Sequence, residues 1–113
     1  MKSIDNPEYR VTYDPETTTI TWAGNFRLRG EEYEPILALM NEAVEARPAT
    51  MALDVSELQF LNSSGINTLS KFVLQVRKQN VSQLRIKGNS AYPWQAKSLK
   101  NLERLLPKLQ LEL

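Results

Sequence analysis

Apolar and polar positions begin to alternate after a short irregular start. Tyr9, Val11 and Tyr13 alternate with Arg10, Thr12 and Asp14, a period of two that predicts a strand. Asp14-Pro15-Glu16 is a turn signal. Thr18, Ile20 and Trp22 then alternate with Thr17, Thr19 and Thr21, a second strand rich in β-branched residues and joined to the first as an antiparallel hairpin. Gly24 to Gly30 reads as a loop. The period next lengthens: Tyr33, Ile36, Leu37, Met40 and Val44 fall at helical spacing, with Glu31, Glu32 and Glu34 in the first turn and Arg47-Pro48 as the stop. Pro35 falls early enough in this helix to be tolerated and to delay its start.

Met51 to Val55 is short and almost wholly apolar, the pattern of a central strand buried on both faces. Ser56 to Leu61 reads as a loop. Ile66, Leu69, Phe72, Val73 and Val76 then define a second amphipathic helix that ends near Asn80. Leu84 and Ile86 mark a strand closed by Gly88-Asn89. A third helix follows, with Pro93 in its first turn, Leu99, Leu102, Leu105 and Leu106 on its apolar side, and Pro107 at its end. Leu109, Leu111 and Leu113 alternate with Gln110 and Glu112 as a last strand. The order is β-β-α-β-α-β-α-β. Strand-helix-strand units give neighbouring parallel strands through right-handed crossovers, so the expected fold is α/β: a small mixed sheet covered by helices, in one domain over residues 1–113, with 1–7 as a loose N-terminal arm.

Composition narrows the chemistry. The 113 residues contain no Cys and no His, which removes disulfides, thiolate and imidazole metal sites, and imidazole acid-base catalysis. Gly24 and Gly30 do not form a phosphate-binding loop. No apolar run is long enough for a membrane helix, and MKSIDNPEYR lacks the apolar region of a secretory signal. These readings lead to the expectation of a cytoplasmic domain that is not an enzyme, has no cofactor or metal, and does not insert into a membrane. The net charge of +1 hides an asymmetry: residues 1–57 hold 11 acidic and 5 basic side chains, residues 58–113 hold 2 acidic and 9 basic. If the halves form separate surfaces, the charge can orient a partner. A near-zero total without a basic-aromatic motif argues against nucleic acid.

One segment carries distinctive chemistry. Residues 53–66 read Leu-Asp-Val-Ser-Glu-Leu-Gln-Phe-Leu-Asn-Ser-Ser-Gly-Ile, with two serines and a glycine opening a helix. A helix start offers unpaired N–H groups and a partial positive charge. Gly65 leaves room for a close backbone or a phosphate. The structural reading of the same residues is a helix cap at Asn62 or Ser63.

Leu53-Asp54-Val55-Ser56 followed by Phe60-Leu61-Asn62-Ser63-Ser64-Gly65-Ile66 resembles the signature of STAS domains of the bacterial anti-sigma factor antagonists, and the order of elements over residues 9–113 is similar too. The resemblance implies a signalling switch in transcription regulation. Ser63 would be the phosphoacceptor, with Ser64 as second choice, modified by a partner serine kinase that is also the anti-sigma factor and reset by a phosphatase. Asn25, Arg27, Arg29, Asn62, Ser64 and Gly65 would belong to the partner surface. The sequence departs from the family in a consistent direction. Gly24-Asn25-Phe26-Arg27 stands where the family has Gly-Glu-Leu-Asp, Asn62 replaces an Asp, and Arg29 adds a further positive charge. Charge-selected partners discriminate against such changes, so a partner other than the usual kinase is implied. The alternative is a STAS-like module that binds an anion, nucleotide or non-sigma protein without being phosphorylated. A receiver domain phosphorylated on Asp54 is disfavoured by the opening hairpin, which leaves Asp54 a structural role.

Overall fold

In the computed structural model, which describes residues 1–113, the alternating segments form one six-stranded mixed sheet. β1 (Lys2–Asp5), β2 (Tyr9–Asp14) and β3 (Thr19–Phe26) are antiparallel neighbours. β4 (Thr50–Leu61), β5 (Gln83–Lys87) and β6 (Gln110–Glu112) continue the sheet in parallel from β3, in sequence order. The helices α1 (Glu34–Glu45), α2 (Ser63–Gln79) and α3 (Pro93–Leu105) occupy the three crossovers. Successive right-handed crossovers that advance in one direction place their helices on the same face.

The sheet therefore has two unlike faces. Tyr13, Ile20, Leu53 and Ile86 are aligned across four strands and buried under the helices. The adjacent row runs Thr12, Thr21, Asp54, Lys87, Glu112 and stays partly or fully open to solvent. The expectation that Met51–Val55 is buried on both faces is thus corrected: Met51, Leu53 and Val55 point into the core, while Ala52 and Asp54 point to the open face. One cluster of 25 buried apolar residues joins strands and helices into a single core. Burying each large aliphatic side chain there stabilises the fold by about 1.5–3 kcal/mol.

Three expectations about boundaries are also corrected. Residues 1–7 are not a loose arm: Ile4 lies opposite Val11 and β1 pairs along the edge of β2. The Asn6 side chain makes the turn, with Oδ1 accepting from the Glu8 and Tyr9 N–H groups at 2.8 and 3.0 Å. β3 extends through Gly24 and Asn25 to Phe26, shortening the loop read at 24–30. Ser56–Leu61 is not a loop but the second half of β4. β4 carries one extra residue relative to β3 between Asp54 and Glu57, and another between Leu58 and Phe60. Each bulge shifts the inward-facing parity, so strict alternation is lost while pairing continues.

The helix signals hold. A 3-10 turn at Gly30–Tyr33 precedes α1, and Pro35 sits in the first turn, where its missing N–H needs no partner. α2 ends on Asn80 in the left-handed conformation (φ 56°), which Asn tolerates. Pro93 is the first residue of α3.

Candidate functional site

The start of α2 is held by one side chain. Asn62 is its N-cap: Oδ1 accepts from the Gly65 N–H at 3.0 Å and from the Tyr33 hydroxyl at 2.7 Å. Its Nδ2 donates to the Leu28 carbonyl at 2.8 Å, and its backbone N–H donates to the Phe26 carbonyl at 3.2 Å. These bonds fix the loop after β3 against the start of α2. An aspartate at this position could not donate to Leu28 and would face that carbonyl with negative charge.

Tyr33 is buried beneath this junction. Burial pushes its phenol up to about 12, helped by the charges of Tyr9 and Glu32 and opposed by the backbone hydrogen bond at Leu28. Trp22 and Phe26 lie alongside, with ring centroids 4.8 Å apart, and the Trp22–Tyr33 rings stack at 6.3 Å. Gly65 serves this packing as well. A Cβ there would collide with the Leu61 side chain and stand 2.8 Å from the Tyr33 hydroxyl. The room read above Gly65 for a phosphate or a foreign backbone is therefore filled by the domain's own side chains.

With Asn62 as the cap, Ser63 is released from that role. It is the first residue of α2, exposed, and its hydroxyl makes no hydrogen bond within the chain. Ser64 is half-buried, and its carbonyl accepts from the Thr68 hydroxyl at 3.0 Å. Because Asn62 bonds to both Phe26 and Leu28, Arg27 lies between two anchored residues at the same end of the sheet as Ser63. Its guanidinium stands 4.8 Å from the centre of the Phe60 ring, which is 40% exposed. Asn25 is opposite Phe60 across β3 and β4, and Arg29 begins the 3-10 turn, its N–H donating to Glu32 Oε1 at 2.8 Å. The structure thus brings Asn25, Arg27, Arg29, Asn62, Ser63, Ser64 and Gly65 together at the C-terminal ends of the parallel strands. No three acidic side chains converge as a set of metal ligands. Asp54 is distant from this cluster in role: its Oδ1 accepts from the Ser56 N–H and hydroxyl at 2.9 and 2.6 Å, closing a local turn of the strand.

A second group of residues supports the site, and its central member, Gln95, escaped the reading of the sequence. The outer edge of β4 beyond Asp54 has no strand beside it, since pairing with β5 stops there. Gln95 in α3 is fully buried and its Nε2 donates to the Val55 and Leu58 carbonyls at 2.8 and 2.9 Å. Trp94 Nε1 donates to the Gln59 carbonyl at 2.8 Å, and Asn89 Nδ2 to Ser56 at 3.1 Å. The available signal was Gln95 itself, a polar residue four and seven positions before Leu99 and Leu102 on an otherwise apolar stripe.

A scan against protein-family models finds no match to this chain, and a search of curated proteins finds none either. No helix is long and apolar enough to cross a membrane.

Proposed function

We propose that the protein is a STAS-type regulatory interaction domain whose partner binding is switched by phosphorylation of Ser63. The observation that carries the reading is the division of labour at the start of α2: Asn62 caps the helix and leaves the Ser63 hydroxyl exposed and unbonded. A phosphate placed there adds about −1.5 to −2 charges beside the positive end of a helix, which the domain tolerates and a closely packed partner does not. The partner would be a serine kinase of the anti-sigma type, opposed by a phosphatase, in a bacterial cytoplasm. Arg27 over Phe60 and Arg29 at the start of the 3-10 turn, at the same end of the sheet as Ser63, favour a variant of that partner whose contact surface is acidic where the family's usual partner is not. The domain itself would perform no catalysis.

The test is phosphate transfer from the serine kinases encoded beside the gene, followed by mass spectrometry and binding measurements. Phosphate is expected on Ser63. Ser63→Ala should keep the fold and bind the kinase constitutively, Ser63→Asp should weaken binding, and Arg27→Asp should change partner choice and the salt dependence of association. Phosphate on Ser64 alone would move the switch by one residue. No phosphate, with unchanged binding in both Ser63 variants, would leave an unswitched binding module.

A further inference from the structure

The charges of the helical layer are sorted by helix. Every charged side chain from Gly30 to Glu45 is acidic, and every one on α2 is basic. α3 and the turn after it add four cations and only Glu103 as an anion. None of the cations on α2, on α3 or in that turn forms an ion pair within the chain. Between the ends of α2 and α3 lies a groove of about 230 Å³. Val76, Leu84, Leu106 and Pro107 give it an apolar lining, and Arg77 and Lys108 stand exposed at its rim.

We infer that this groove docks an acidic, apolar-flanked segment of a partner protein, on a surface separate from the Ser63 end. The groove is smaller than the roughly 300–1,000 Å³ of small-molecule sites, so it fits one or two side chains rather than a whole cofactor. Both helices end here, and helix C-termini are partially negative. An acidic group is therefore unwelcome on the floor and welcome only at the rim, where Arg77 and Lys108 reach outward. An apolar side chain in the groove with carboxylates beside it satisfies both conditions. A long polyanion does not, because the acidic flank of α1 lies on the far side of α2 and repels it.

The probe is a fluorescent synthetic peptide alternating glutamate and leucine, followed by anisotropy against the full chain. Saturable binding is expected, weakened by added salt. Replacing the peptide's leucines by serine, or its glutamates by lysine, should each cost about tenfold in affinity, as should the double variant Arg77→Glu/Lys108→Glu. The neutral pair Arg77→Gln/Lys108→Gln, with circular dichroism as the check on folding, serves if charge reversal disturbs the structure. Binding of the peptide that is equal in wild type and in the neutral pair overturns the inference. So does equal or tighter binding of a single-stranded oligonucleotide or of phosphatidylserine vesicles. Concentration-dependent dimerisation that the double variant abolishes would also overturn it, assigning the groove to a second copy of the chain.

Discussion

The two halves of β4 are held in different ways. Residues 50–54 all pair with β5, and 52–54 pair with β3 on the other side as well, so other backbones satisfy most of their backbone groups. Beyond Asp54 only β3 remains, and the carbonyls of Val55, Ser56, Leu58 and Gln59 are met by the side chains of Gln95, Asn89, Gln95 and Trp94. A backbone ladder is indifferent to most substitutions on the strands that form it. A side-chain ladder depends on three residues. The half that carries Phe60 and leads into Asn62 and Ser63 is the dependent one, so the candidate site rests on the part of the sheet that single substitutions can loosen.

Gln95→Leu should separate the two halves most clearly. It keeps an apolar bulk in the core but strands two buried carbonyls and the Asn89 N–H, which Gln95 Oε1 accepts at 2.7 Å. At about 1–3 kcal/mol for each buried group left without a partner, partly relieved by water, the expected loss is about 3 kcal/mol by urea unfolding. Hydrogen exchange should accelerate at residues 55–61 and stay slow at 50–54. Equal acceleration in both stretches would show that they open as one unit.

Asn62→Asp tests the junction that the second half leads into. The N-cap bond to Gly65 survives, but the donor to Leu28 is lost and a carboxylate faces its carbonyl. A loss of about 1 kcal/mol is expected, with altered amide shifts at Leu28 and Arg29 as the local signature. Unchanged stability would mean that the loop bearing Arg27 is held by other contacts.

Alkaline pH probes the same junction through Tyr33. Its phenol is pushed from an ordinary value of 10.0 to about 12 in the folded chain. The folded state therefore favours the protonated form, and the stability tied to it is complete below pH 10 and is lost as pH rises toward 12. Tyr33→Phe should flatten this part of the alkaline unfolding profile, while costing about 1 kcal/mol at neutral pH for the hydrogen bond to Asn62. Ultraviolet titration of tyrosinate checks the first outcome, urea unfolding the second.

The smallest effect belongs to the strands beside the ladder-held half. Arg85 on β5 bonds Glu112 on β6 at 2.8 Å, and this holds the Glu112 carboxyl below its ordinary value. Its contribution is present above the carboxylate's unfolded pKa and is lost as pH falls through the lowered folded one. Both groups are exposed to solvent, so Arg85→Gln should leave the urea midpoint at neutral pH unchanged. A measurable loss would show that β6 is more than a passive edge.

Much of the α/β architecture was legible because its signals are local. Val11, Tyr13, Ile20 and Trp22 show period two, Leu69, Phe72, Val73 and Val76 show helical spacing, and Pro93 and Asn80 mark boundaries by their backbone chemistry alone. Asn62 at a helix start was likewise readable, since its residue type and position are sufficient for capping. The residues gathered around Ser63 were legible only in part: Asn25, Arg27 and Arg29 were placed there through resemblance, Tyr33 was read only as a position on a helix face and Phe60 only as a motif residue, and Gln95 was not singled out.

What the linear pattern could not contain were features that need a distant partner. Lys2–Asp5 becomes a strand because the edge of β2 offers unpaired backbone groups, although its own four residues show no apolar alternation. Residues 56–61 continue β4 because β3 runs alongside them through two bulges, and a bulge erases periodicity without ending the ladder. Gly65 owes its place to the Leu61 and Tyr33 side chains rather than to the turn of its own backbone. Gln95 is explained only by the stretch of β4 that outruns β5. Periodicity and capping are properties of neighbouring residues, and the chain displays them unfolded; edges, bulges and buried donors acquire their meaning only when segments some 40 residues apart are brought into contact.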